Sequence, residues 1–67
     1  MVEVWVNGRS VTLEDNTSVD SFIDSLGLSD KKIAIEINHQ IVSRSRYHSI
    51  TLKNDDKVEI VTAVGGG

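Results

Sequence analysis

Three consecutive glycines, Gly65, Gly66 and Gly67, follow "VTAV" at the end of the sequence. Glycine is the costliest residue to order, and a terminal run of it has no side chain with which to pack. Any chemistry here therefore belongs to the backbone and to the carboxylate of Gly67. A tail without Cβ atoms can pass through a narrow channel and leaves its last carbonyl open to attack from either side. Residues 63–67 reach about 16–18 Å when extended, at about 3.3–3.6 Å per residue, enough to enter a buried site while the domain stays outside.

Other chemistry-bearing residues are sparse. The absence of Cys excludes disulfides, thiolate metal sites and a cysteine nucleophile. His39 and His48 match no metal-ligand spacing and sit among polar residues, so both read as solvent-facing and no metal is assigned. Asp55 and Asp56 follow Asn54, which is turn chemistry and not a catalytic pair. Gly8 and Gly27 stand alone with no phosphate-binding loop around them, so the chain offers nothing to hold ATP. No cofactor is expected.

The elements that position the tail follow from local pattern. Asn7-Gly8 is the preferred pair for a type I′ hairpin turn. It sets Val6 opposite Arg9, Val4 opposite Val11 and Val2 opposite Leu13, with Trp5 on the other face across from Ser10. Thr17 is placed as an N-cap with Asp20 three residues on, and Val19, Phe22, Ile23 and Leu26 follow at helical spacing to Gly27, predicting a helix near 18–26. "KKIAIEIN" alternates as a strand, Ile41-Val42 makes a short segment, "RSRYHS" reads as polar loop and "ITL" as a brief strand. "KVEIVTAV" supplies the last strand. Tyr47 is a core-edge aromatic, while Arg44 and Arg46 read as solvated.

Hairpin, helix, strands and a long final strand predict an α+β domain, a mixed β-grasp sheet with one helix across one face and the first and last strands parallel in the middle. Val4, Val11, Phe22, Ile23, Ile35 and Ile60 are the expected core. Sixty-seven residues at 39% hydrophobic content make one domain, residues 1–67, with a thin core and a flexible tail at 64–67. Net charge of −3 argues against nucleic acid and suits a partner with a basic face. No apolar run is long enough to span a membrane, and "MVEVWVNG" lacks the pattern of a signal peptide, so the expected location is cytoplasmic. Val61 breaks the polar alternation of its strand. With Trp5 it forms a candidate docking face on the sheet opposite the helix.

Three stretches, "VNGRSV", "INHQIVSRSRYHSI" and "DKVEIVTAVGGG", carry a resemblance across essentially the whole chain. The sequence resembles the ubiquitin-like ThiS/MoaD sulfur carrier family, most closely its thiamine-biosynthesis branch. Gly65 is a departure, a third glycine where the family pattern asks for two. The resemblance implies that Gly67 is adenylated by a ThiF-like enzyme and converted by a sulfur donor, such as a cysteine desulfurase system, to a thiocarboxylate. A ThiG-like thiazole synthase then takes the sulfur. It further implies a carrier that is a protein substrate and not an enzyme, a monomer when free. The alternatives are the small subunit of molybdopterin synthase, a carrier for tRNA thiolation or sulfur amino acids, and, in another class, a non-covalent β-grasp interaction module with an inert tail.

Overall fold

Asn7 and Gly8 take left-handed backbone angles, φ 50° and 85°, as a type I′ turn requires. They join β1 (Val2–Val6) to β2 (Arg9–Leu13) in the expected register, Val4 opposite Val11 and Val2 opposite Leu13. The structure, a computed structural model, describes residues 1–62. The expectations for the tail at 64–67, and for a last strand running on through Ala63 and Val64, lie outside the described residues.

The helix α1 spans Val19–Ser25, one residue inside each predicted end. Its N-cap is Ser18, whose Oγ accepts from the Ser21 backbone N–H at 3.1 Å, and not Thr17. The shift has a physical cause. Leu52 N–H donates to Thr17 O and Val19 N–H to Ile50 O, a bridge pairing Ser18 with Thr51 that keeps Thr17 in the incoming extended segment. The Thr17 hydroxyl donates instead to Glu14 O, so the box with Asp20 does not form.

At the other end Gly27 (φ 73°) occupies the expected left-handed position. Gly27 N–H donates to Asp24 O and Leu28 N–H to Ile23 O, the paired bonds of a Schellman motif. This reversal carries Leu28 onto the core, while Leu26, predicted in the apolar stripe, is 45% exposed.

Three further strands follow, β3 (Ile33–Ile37), β4 (Gln40–Val42) and β5 (Lys57–Thr62). Among the described residues the sheet order is β2-β1-β5-β3-β4. β1 and β5 pair in parallel at the centre, and β5 pairs antiparallel with β3. "RSRYHS" is not loop but a 3-10 helix, Arg44–Ser49, which buries Tyr47 against the core. "ITL" forms no strand, and only Thr51 makes a bridge.

Val4, Ile35 and Val58 from three neighbouring strands meet Val19, Phe22 and Ile23 of α1 in the core. Val11 and Ile60, expected in the core, are only partly buried. Val11 lies on the edge strand β2, and Ile60 lies beyond the point where β1 turns away from β5. No charged or polar side chain is buried among the described residues.

Candidate functional site

β5 leads directly into the glycine tail, so whatever fixes β5 fixes the tail's root. Its pairing with β1 ends early, at Val6 opposite Val58, because the hairpin turns away. Asn7 makes up the deficit. Its side-chain amide accepts from Ile60 N–H at 2.8 Å and donates to Ile60 O at 3.1 Å, standing in for a strand residue. Asn38, in the turn between β3 and β4, does the same job near the start of β5. Its backbone N–H donates to Lys57 O and its side-chain oxygen accepts from Lys57 N–H. Sequence reading assigned Asn7 to the turn alone. The second role has no local signal, since it spans 53 positions in the chain.

Strand alternation and register place Trp5, Lys57, Glu59, Val61, Ala34, Glu36 and Ile41 on the sheet face opposite the core. Trp5 is 40% exposed and Val61 64%, so both candidates sit on the anticipated face. They do not touch as one patch. Trp5 stands opposite Lys57, and Val61 lies four residues further along, about 13 Å at about 3.3 Å per residue, with Glu59 between. Trp5 instead walls a small recess with Gly8 and Lys57. Ile41 is 80% exposed on the same face and was missed as a surface residue, although alternation with buried Val42 carries that signal.

The middle of this face is acidic. Glu36 and Glu59 are direct cross-strand partners. His39 joins them, with ligand-capable atoms of all three within 4.8 Å of one another. The spacing of His39 and His48 along the chain could not reveal this grouping, because Glu59 comes from a neighbouring strand. His48 remains apart in the 3-10 helix.

Where β5 ends, the surface changes character. A cleft of about 750 Å³ opens beside Val61, lined also by Lys31, Lys32, Ile33, Ala34 and Arg44. The Arg44 guanidinium donates to Lys31 O at 2.8 Å, tying the 3-10 helix to the segment before β3. Gly65, Gly66 and Gly67 lie outside the described residues. The described chain brings to their root a central strand, an acidic mid-face and a cationic cleft.

Comparison with known proteins bears on what this arrangement serves. Residues 4–67 match the model of the ThiS family. A sulfur carrier protein ThiS of Bacillus subtilis is 35% identical over 63 residues, covering 92% of this chain and 96% of that protein. A thiazole synthase of Magnetococcus marinus is 33% identical over 66 residues, covering 98% of this chain but 20% of its own length. This chain thus spans about a fifth of that relative. The crystal structure of the thiamine biosynthesis protein ThiS from Geobacter metallireducens superposes with a TM-score of 0.83 at 25% identity, covering 98% of this chain and all of that one.

Proposed function

The chain belongs to the ThiS family, and on that premise we propose that it is a sulfur carrier for thiazole formation in thiamine biosynthesis, acting through the carboxylate of Gly67. A carboxylate is a poor electrophile and needs activation. A ThiF-like adenylating enzyme joins the Gly67 carboxylate to AMP, with pyrophosphate leaving. A persulfide of the sulfur donor, such as a cysteine desulfurase system delivers, then displaces AMP to give an acyl disulfide. A second thiol reduces its S–S bond, leaving the thiocarboxylate and a disulfide on the donor side. A ThiG-like thiazole synthase takes the sulfur, and the carboxylate returns for another round. ATP, sulfur and catalytic groups all come from partners, so this protein is a substrate and carrier, not an enzyme.

The observation that carries this reading is the family match running through residue 67, so that Gly66-Gly67 falls inside it. The near full-length likeness to a sulfur carrier protein supports it. Gly65 and Gly66 serve as the slender segment that enters the partner's channel, and the face bearing Trp5 and Val61 docks the partner. The carrier works in the cytoplasm as a monomer when free.

The test is intact mass after incubation with the adenylating enzyme, ATP and a sulfur source. The expected gain is one sulfur-for-oxygen exchange, mapped by fragmentation to Gly67. An unchanged mass in a system that thiocarboxylates another carrier would leave the non-covalent interaction module as the better account.

A further inference from the structure

The net charge of −3 conceals a segregation of charge on the surface. Three of the seven Lys and Arg residues, Lys31, Lys32 and Arg44, line the one cleft at the end of β5. Asp30 is the only carboxylate with them among the described residues. Lys31 and Lys32 form no ion pair among the described residues. Ala34 and Val61, on the outward face, give the cleft an apolar floor. The Arg44 bond to Lys31 O fixes the backbone from which both lysines project.

Resting on the proposed function, we infer that this cleft is the docking site for an acidic, apolar-centred surface of the thiazole synthase that receives the tail. Charge complementarity sets the occupant's chemistry. Lysines with no ion pair among the described residues, beside an apolar floor, are matched by carboxylates flanking an apolar side chain. Position limits the occupant to an enzyme that acts on Gly67, and the long thiazole synthase relatives point to the synthase. The cleft opens where β5 hands over to the tail, so an enzyme drawing Gly67 into a buried site must face this end of the domain. In thiazole synthase relatives a segment like this chain is a fifth of one longer polypeptide, which keeps the two surfaces in constant proximity. The middle of the sheet face, with Glu36 and Glu59 opposite each other, is acidic and does not suit such a partner. The basic partner face suggested by overall charge thus holds for the middle of the sheet and reverses at the tail's root.

The experiment measures affinity of the full chain for the thiazole synthase of the same organism, at about 50 mM and about 300 mM salt. Lys31→Gln/Lys32→Gln should weaken binding about tenfold at low salt, and Lys31→Glu/Lys32→Glu about a hundredfold. High salt should shrink both differences several-fold. Both lysines are exposed, and amide spectra of each variant check that the fold is kept. Wild-type affinity in both double variants, or a loss that ignores salt, overturns the proposal. Amide shifts at Lys31–Ala34 that change when Gly65–Gly67 are deleted from the free protein also overturn it, because the cleft would then hold the protein's own tail. Thiocarboxylate formation, read separately by mass, should persist in the neutral variant. Its absence from the wild-type protein strikes the sulfur-carrier reading, while the salt-graded affinity still decides the cleft.

Discussion

At the scale of single residues, the proposed chemistry rests on a carboxylate with no side chain beside it. Removing Gly67 leaves a chain ending in Gly65-Gly66, with the same terminal chemistry about 3.3–3.6 Å short of its former reach. Near-attack geometry tolerates about 1 Å of error before rates fall steeply. The third glycine supplies some slack, so this deletion should retain partial thiocarboxylate formation, while loss of both Gly66 and Gly67 should abolish it. Thiocarboxylate at the new end of the double deletion would refute the mechanism. Val61 offers a second test, since its side chain points away from the core and is 64% exposed. Val61→Asp should weaken binding to the adenylating enzyme about tenfold or more, as a buried unpaired charge does at an interface, with an unchanged thermal midpoint. Unchanged affinity would return Val61 to an ordinary surface residue. The outward Trp5 was legible in the sequence because it depends on local alternation. The cleft of Lys31, Lys32 and Arg44 was not, because its walls lie 12 or more positions apart in the chain and meet only through the hydrogen bond of Arg44 to Lys31.

At the scale of elements, β5 is the strand on which function depends, and two turn asparagines hold it. Asn7→Ala removes two hydrogen bonds to Ile60 and places a Cβ-bearing residue without Asn's tolerance at φ 50°. The expected cost is about 1–3 kcal/mol, read as a lower denaturant midpoint with an unchanged slope. Faster amide exchange at Ile60 should accompany it. The pair Glu36–Glu59 works in the opposite sense, since like charges directly opposite across strands are destabilising. Glu59→Thr, with a β-branched residue suited to the strand, should therefore stabilise the domain by about 0.2–1 kcal/mol. A lower thermal midpoint would show that the pair is held by contacts other than its charge. Element order, the hairpin register and the left-handed Gly27 were all readable, because turn residues and period-two alternation are local signals. The helix cap and the 3-10 helix were misread. Ser18 replaces Thr17 because a bridge to Thr51, more than thirty residues away, decides which residue leaves the extended segment. "RSRYHS" looks polar, yet it buries Tyr47 and is tied down by the Arg44 hydrogen bond to Lys31 O.

For the whole molecule, the proposed chemistry needs a folded domain behind the tail. A chain of 67 residues carries a net stability of about 3–10 kcal/mol at about 0.05–0.15 kcal/mol per residue. Ile35 is fully buried at the centre of the sheet, opposite Val42 on one side and Ile60 on the other. Ile35→Ala should cost about 2–5 kcal/mol through lost burial and the cavity left behind, a large share of the total. At about 4–8 °C per kcal/mol for a domain of this size, the thermal midpoint should fall by at least about 8 °C. This variant separates two ways in which an enzyme could recognise the carrier, because Gly67 and its neighbours are chemically untouched. If the adenylating enzyme reads the folded face, thiocarboxylate formation should match wild type well below the new midpoint and fall in step with the folded fraction through it. If the tail alone were sufficient, the rate would follow the partner enzyme's own temperature dependence straight through the unfolding transition. That second outcome would mean that the sheet and its outward residues play no part in presenting the carboxylate to the adenylating enzyme.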